Sequence, residues 1–330
     1  FLSAEGYGAF AYGVGITMLG AMFARLGVHT QVIRLSASTL HQNRIYRRGV
    51  FIFGLCTALG VTIVTSFVLI LYFVTSGVSP IVANAGVIGA LAAPIIAVAA
   101  VFQGMLRARL KAAKAYAPEY LFVPSFTLAA ISLLAFSGNL NAATALLAFA
   151  CGWVAATIIL IRLTMRLPTP QNSSLNSTNQ PIAIRWREWS VSTVMIVIGG
   201  IIFTAMGQIE TVFLGTMFGP AEVGIYAIAL RFAQFATLPG FAISSAFIPV
   251  LTELISKHDH NAVAHRIDLS ARANAAATLL IGCTVGVVAW FLLPLINIDF
   301  TNARLPMVIM CIGYIVQAAF GRPYDILCAA

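Results

Sequence analysis

Charged residues are scarce in this chain. Only 9% of its 330 residues are Asp, Glu, Lys or Arg, whereas 60% are hydrophobic and the mean hydropathy is +0.94. A soluble domain has about 25% charged residues, and a globule of this length could not bury so much apolar surface. The composition therefore argues against a soluble protein and predicts an integral membrane protein.

Motifs for cofactor chemistry are also missing. No GxxxxGK[ST] nucleotide loop occurs, and no two cysteines form a CxxC pair. The five cysteines lie apart in apolar segments, at Cys56, Cys151, Cys283, Cys311 and Cys328. His258, His260 and His265 share one connection, but their spacing is not typical of zinc ligands. We therefore expect no metal, no cofactor and no enzymatic activity.

Nine segments are apolar enough to span a membrane as helices of roughly 20 residues. None alternates apolar and polar residues over about ten positions, which argues against a transmembrane barrel. The sequence thus predicts an all-α integral membrane protein. The predicted spans are 8–27, 50–74, 84–106, 120–137, 142–162, 191–213, 222–249, 274–296 and 305–321.

Basic residues follow the predicted spans closely. Sixteen of the 19 Lys and Arg residues lie in every second connection, whereas the intervening connections contain only Arg304. This is the asymmetry of a membrane protein whose basic connections are cytoplasmic. The net charge of +9 is therefore explained by topology, and we expect no nucleic-acid partner.

A polar stretch divides the apolar chain. "RLPTPQNSSLNSTNQPIAIRWREW" is rich in Pro, Asn, Ser and Thr, which favour turns and extended chain over helix. We expect a helix bundle of five visible spans at 1–162, a cytoplasmic linker at 163–190 and a truncated bundle of four visible spans at 191–330. Trp186 and Trp189, beside basic residues, are expected to anchor the linker at the membrane interface.

One short pattern occurs in both halves. "AEGYGAFA" near the start and "AEVGIYA" near residue 221 share an Ala-Glu pair, a following Gly, and an aromatic residue before Ala. Both copies lie in outer connections, so the halves are expected to be parallel repeats. No visible span precedes the first copy, and the chain runs from Phe1 to an apolar "DILCAA". We therefore expect a fragment without its first span and its C-terminal spans.

Few ionisable residues lie inside the predicted spans, where a charge costs roughly 3 kcal/mol. Glu210 lies in the sixth span and Arg231 in the seventh, at similar depths from their shared turn. We expect both to face a polar interior that forms the path of a substrate or ion, with Gln208, Gln234 and Tyr226 along the same wall. A static ion pair that only fixes helix packing is the alternative.

The stretch "LGTMFGPAEVGIYAIALRFAQF", with the later "FIPVLTEL", resembles the polysaccharide flippases of the multidrug/oligosaccharidyl-lipid/polysaccharide exporter superfamily. In that family an acidic residue in a span, here Glu210, precedes a G-x-x-x-x-G-x-Y-x-x-A stretch and a later P-x-L. "LSAEGYGAFAY" and "QGMLRARLKAAKAY" are similar to the family's stretches after its first and fourth spans. The matching residues near the centre are Gly219, Gly224, Tyr226, Ala229, Pro249 and Leu251.

The resemblance implies a MATE-like transporter with two pseudo-symmetric helix bundles across a central cavity. It implies alternating-access movement of an undecaprenyl-diphosphate-linked oligosaccharide to the outer leaflet of the bacterial inner membrane, for surface polysaccharide such as the O-antigen of lipopolysaccharide. The expected partners are this lipid-linked oligosaccharide, membrane lipid and a coupling cation.

Other functions stay open at this point. One is a cation-coupled multidrug antiporter of the same superfamily, in which the carboxylate of Glu210 would dominate. Another is a membrane-embedded glycosyltransferase or polymerase, although the outer connections are short and nearly uncharged. A structural membrane subunit is less compatible with a chain built from two similar halves.

Overall fold

Helices make up nearly all of the described chain. The computed structural model describes residues 2–22, 25, 28, 31–33, 44–109, 111–166, 186–194, 209–240, 243 and 260–319. Its helices are α1 (Ala4–Gly20), α2 (Arg44–Thr75), α3 (Pro80–Ala108), α4 (Ala112–Ala117), α5 (Val123–Phe136), α6 (Ala142–Met165), α7 (Ile209–Met217), α8 (Pro220–Gln234), α9 (His260–Ile296) and α10 (Arg304–Ala319). A π turn, Pro118–Phe122, joins α4 to α5, and residues 186–194 are also helical. No strand occurs in these ranges, so the all-α prediction is confirmed.

Six helical segments of the described chain are long and apolar enough to cross a membrane. They correspond to the second to fifth, eighth and ninth predicted spans. They are Gly49–Thr75, Pro80–Ala108, Ala113–Phe136, Ala142–Met165, His265–Ile296 and Ile298–Ala319. The other three predicted spans lie only partly within the described ranges, where α1, α7 and α8 occupy them. The chain is therefore a multi-pass membrane protein, and the total of nine spans stays a prediction.

Side-chain caps define the starts of two helices. The Ser3 hydroxyl accepts the backbone N–H of Gly6 at 3.2 Å, which begins α1. At α6, Asn141 Oδ1 accepts the Thr144 N–H at 2.8 Å, while Thr144 Oγ1 accepts the Asn141 N–H at 2.9 Å. Such a capping box satisfies two backbone donors that the first helical turn leaves unpaired. Both helices accordingly begin where a connection ends.

The predicted start of the fourth span, residue 120, is wrong. The helical chain already crosses from Ala113, and it passes through Pro118 without ending. Proline has no N–H to donate, and a helix normally bends or stops there. Here the chain widens into the π turn, in which the Val123 N–H donates to the Pro118 carbonyl five residues earlier. Glu119 consequently lies inside this helical run.

The first of two compact units, Phe1–Val223, is organised around α3. This helix packs against α1, α2 and α6, and its buried face consists mainly of Ala and Gly. A Cβ on Gly89 would lie less than 3.0 Å from the carbonyl oxygen of Gly13, so α1 and α3 approach at backbone distance. Small residues at helix contacts are typical of membrane proteins, where close packing drives association.

The outer faces of this unit are apolar. Many large side chains on α2 and α5 are exposed, including Phe67, Leu71, Leu128, Leu133 and Phe136. Hydrocarbon chains of a bilayer are a suitable solvent for such surfaces, whereas water is not. The exposed faces of α2 and α5 therefore fit contact with lipid.

The two tryptophans at residues 186 and 189 have different environments. Trp189 is buried and packs edge-on against Phe53 of α2 with ring centroids 5.3 Å apart. Trp186 is exposed, although its ring also lies 5.2 Å from the Phe53 ring. Trp189 therefore packs into a small core with Val50 and Phe53, and the expectation that both tryptophans lie at the membrane interface stays a prediction.

The second compact unit, Gly224–Ala330, contains the α9–α10 hairpin. Its connection is a 3-10 turn, Ile298–Ala303, which starts at Asn297 and buries Phe300. Arg304 then donates through Nε to the Trp290 carbonyl at 2.9 Å and stacks 4.8 Å above its ring. Most of the predicted linker, residues 167–185, lies outside the described ranges, so the division at 163–190 stays a prediction.

Candidate functional site

Glu210 lies in the first turn of α7, and its side chain is exposed. Gln208, the neighbouring candidate, lies outside the described residues. Glu210 belongs to the first compact unit and Arg231 to the second. The pairing of these two residues and the shared polar interior therefore stay predictions.

The other predicted pathway residues lie on α8. The arginine and the glutamine, Arg231 and Gln234, are exposed, whereas Tyr226 is half-buried. With about 100° between successive residues, Arg231 lies about 60° from Gln234 and Tyr226 about 80° from it on the other side. Arg231 and Gln234 thus occupy adjacent parts of the exposed surface of α8.

A buried tyrosine that the sequence pattern did not single out lies where α1 meets α7. Tyr12 is fully buried, and its ring lies edge-on to Phe73 at 6.0 Å. A Cβ on Gly215 would come within 3.0 Å of the Tyr12 ring, so this glycine lets α7 approach α1. The Tyr12 hydroxyl has no hydrogen-bond partner among the described atoms. It is a polar atom in an otherwise apolar contact.

A partly buried ionic cluster forms around Glu119. One carboxylate oxygen, Oε1, pairs with Nη2 of Arg25, and the other accepts a hydrogen bond from Gln103 Nε2 at 3.0 Å. The side chain of Glu119 is 10% exposed and that of Arg25 is 29% exposed. Gln103 is buried, and Nη1 of Arg25 also lies 3.3 Å from Met18 Sδ. We call these three residues the Arg25–Glu119–Gln103 cluster.

The cluster joins three separate segments of the first unit. Arg25 follows α1, with its backbone N–H donating to the Ala21 carbonyl at 3.0 Å. Gln103 lies near the end of α3, and Glu119 lies in the π turn. The next segments along the chain are the basic connections, so the cluster lies toward the basic end of these helices.

Charges at such a position carry a large energetic cost. An ionised side chain within an apolar span costs roughly 3 kcal/mol on insertion scales. A paired and hydrogen-bonded carboxylate avoids part of this cost, but removing one partner of a buried pair costs about 3–5 kcal/mol. Both carboxylate oxygens of Glu119 have partners in this conformation, one an ion pair and the other a hydrogen bond.

A sequence signal for Glu119 does exist. It is the only Asp or Glu between residues 6 and 187 of the chain. The apolar pattern nevertheless assigns it to a connection, because the predicted fourth span begins at residue 120. Arg25 is likewise counted among the topological charges, and Gln103 only matches part of a family stretch. Their convergence depends on the π turn and on the packing of α1 against α3.

The described residues show little that could hold a metal or a polar ligand elsewhere. No group of three or more His, Cys, Asp or Glu side chains comes together within the described ranges. A cavity of about 400 Å³ lies between α9 and α10 of the second unit. Its walls are apolar side chains and two cysteines, among them Cys283, Trp290 and Ile312, so they offer no strong partner to a sugar or phosphate.

Comparison with known proteins gives the chain a family. Residues 1–255 match the family described as "Polysaccharide biosynthesis protein". No curated protein matches the chain. The fold is similar to an inward-facing multidrug resistance MATE family transporter of the MOP superfamily, with a TM-score of 0.69 and 12% identity over 100% of this chain and 84% of that one.

A second solved structure gives a weaker match. It is the MATE multidrug transporter DinF-BH, with a TM-score of 0.50 and 12% identity over 99% of this chain and 78% of that one. At this identity the likeness concerns the fold, and it confirms the MATE-like architecture. The family match covers more than half of the chain and confirms the resemblance seen in the sequence. The chain therefore belongs to the polysaccharide biosynthesis protein family.

Proposed function

We propose that the protein is a flippase that moves a lipid-linked oligosaccharide from the inner to the outer leaflet of a bacterial inner membrane. The substrate class is an oligosaccharide on undecaprenyl diphosphate, used for surface polysaccharide such as the O-antigen of lipopolysaccharide. Two helix bundles, 1–162 and 191–330, alternately open a central path to each side. A coupling cation drives the cycle.

The family match carries this proposal. A polysaccharide biosynthesis protein with the fold of a membrane transporter fits a step in which a saccharide intermediate crosses the bilayer. The two solved structures with a similar fold are transporters, so we propose transport rather than enzymatic chemistry. A glycosyltransferase usually needs a sizeable loop with carboxylates and basic residues, whereas the predicted outer connections of this chain are short and nearly uncharged.

Arg231 and Glu210 have proposed roles in this path. A guanidinium pairs well with phosphate oxygens, so Arg231 would bind the diphosphate, with Gln234 and Tyr226 hydrogen-bonding to sugar hydroxyls. Glu210 would bind the coupling cation, and Gln208 would support it. The exposed positions of Arg231 and Gln234 on α8 are compatible with ligand contact.

Gene deletion and complementation test the flippase proposal. Deleting the gene should remove surface polysaccharide and leave lipid-linked oligosaccharide in the inner leaflet, and the wild-type gene should restore transport. Arg231→Gln should lower the restored polysaccharide about tenfold at equal protein level. Arg272→Gln is the matched control, because Arg272 is exposed and pairs only with Asp268 on its own helix among the interactions described. Unchanged surface polysaccharide in the deletion strain would contradict the proposal.

A multidrug antiporter is the second candidate function. The two solved structures with a similar fold are both named as multidrug transporters, which favours this alternative. Everted vesicles that contain the protein would then expel a fluorescent cationic dye when a proton or sodium gradient is applied. Glu210→Gln should abolish this activity. Dye efflux equal to that of empty vesicles would exclude the antiporter and leave the flippase as the better proposal.

A further inference from the structure

The Arg25–Glu119–Gln103 cluster requires an explanation that the proposed transport path does not supply. Its three members lie on separate segments of the first unit, and both oxygens of the carboxylate are occupied. Well-packed apolar residues often stabilise a buried site as well as an ion pair does. Stability alone is therefore a weak reason for placing two charges here. A contact that distinguishes two conformations is a stronger one.

The π turn offers a way to make and break this contact. It contains one residue more per turn than an α-helix, and it holds Glu119 between Pro118 and Pro124. If the π turn changed to regular α-helical geometry, one residue would leave the turn. The segment before it would then rotate by about 100° relative to α5. Such a rotation would move the Glu119 carboxylate away from Arg25 and Gln103. Single π turns inside helices are frequent at functional sites.

The surroundings of the cluster suit a reversible contact. Arg25 is 29% exposed, so its guanidinium can regain water or lipid headgroups when the pair opens. Arg107 lies one helical turn after Gln103 on α3, and its guanidinium stacks 5.0 Å from the Tyr116 ring. A second cation is thus present near the basic end of α3. In the open conformation the Glu119 carboxylate can therefore still lie near a positive charge, that of Arg107.

We propose that the Arg25–Glu119–Gln103 cluster is a conformational switch that holds Arg25 against α3 and the π turn in one state and opens in another. The switch concerns movement within the first unit. It goes beyond the proposed function, since it does not depend on which substrate is transported.

The accessibility of position 115 tests this switch. The full chain is prepared with its five cysteines replaced by alanine, and the Ala115→Cys variant is reconstituted into proteoliposomes. Ala115 is fully buried on α4, one turn before Glu119, so the introduced thiol should react slowly with a membrane-impermeant maleimide while the cluster is closed. Adding Glu119→Gln should accelerate labelling about tenfold, because the charge-assisted contact with Arg25 is lost. Ala99→Cys, on α3 and also fully buried, is the matched control and should stay unlabelled.

A charge exchange distinguishes the loss of the ion pair from a general loosening of the helix packing. Arg25→Glu combined with Glu119→Arg should return labelling at position 115 to the slow rate. Equal rates with and without Glu119→Gln would overturn the switch. Acceleration in the Ala99→Cys control as well, or fast labelling after the charge exchange, would overturn it too. The labelling result stands even if complementation refutes the flippase proposal, so the two failures are distinguishable.

Discussion

The close contact between α1 and α3 gives a quantitative prediction about stability. At Gly89 an added Cβ would lie less than 3.0 Å from the Gly13 carbonyl oxygen and 3.2 Å from Thr17 Oγ1. The nearest atom belongs to backbone, so no side-chain rotation relieves the overlap. Gly89→Ala must therefore separate the two helices by up to about 1 Å, a gap that loses a quarter to a half of the dispersion energy at each affected contact.

Gly60 provides the matched control. It also lies within a helix, α2, but a Cβ there would meet no atom of the described residues within 4 Å. Replacing glycine by alanine inside a helix gains about 1 kcal/mol of helix propensity at either position. This gain cancels when the two variants are compared. The remaining difference is the overpacking at Gly89, which costs about 1–3 kcal/mol.

The free energy of unfolding can be measured by titrating each variant with dodecyl sulfate in bicelles and following circular dichroism. Gly60→Ala should be as stable as the wild type or more stable. Gly89→Ala should be less stable than Gly60→Ala by about 1–3 kcal/mol. Equal stability of the two variants would refute the conclusion that α1 and α3 meet at backbone distance.

Three further predictions use the same measurement. Tyr12→Phe should leave the free energy of unfolding unchanged or raise it by up to about 1 kcal/mol, because the hydroxyl has no partner among the described atoms; a clear loss would reveal a hydrogen bond. Trp189→Ala should cost about 3 kcal/mol and the exposed Trp186→Ala much less, whereas equal costs would contradict the burial of Trp189. Asn141→Ala should cost about 1 kcal/mol through the cap of α6, and Asn141→Asp should retain most of it; equal losses in both variants would argue against the cap.

The sequence predicts the membrane-spanning helices well because the length and hydrophobicity of a segment are enough to identify a span. A run of about 20 apolar residues determines that a helix crosses the membrane, since the bilayer forces backbone groups to pair within the segment. The second to fifth, eighth and ninth spans consequently agree with the structure. The start of α9 differs because its polar turns from His260 contain no apolar signal, although the helix continues through them.

Contacts between helices are much harder to predict. The depth of Glu210 and Arg231 follows from counting residues along a helix, but their partners depend on how helices pack. Glu119 illustrates the same limit, because here the structure shows a contact that the sequence does not predict. A proline beside it suggests the end of a helix, and only the π turn reveals that its carboxylate reaches Arg25. The contact joins residues 94 positions apart, which no local pattern encodes.

Two ion pairs of similar chemistry show why the environment of a charge decides its role. Asp268 and Arg272 lie one turn apart on α9, with side chains 55% and 79% exposed. Such a pair contributes about 0.3–0.5 kcal/mol, and salt weakens it further. Its basic residue still contributes to membrane topology, which depends on Lys and Arg near the ends of spans.

Arg25 counts toward the same topological asymmetry, yet its charge is largely neutralised by Glu119 once the first unit has folded. Topology is set as spans insert, before α1 and the π turn can meet, so Arg25 can serve both purposes in succession. Exchanging the charges of Arg25 and Glu119 moves a basic residue from the segment after α1 to the π turn near the start of the fourth span. Because the two side chains are in contact, the exchange keeps the basic residue at a similar depth while testing the folded contact. It is therefore a cleaner perturbation of the cluster than removing either charge alone.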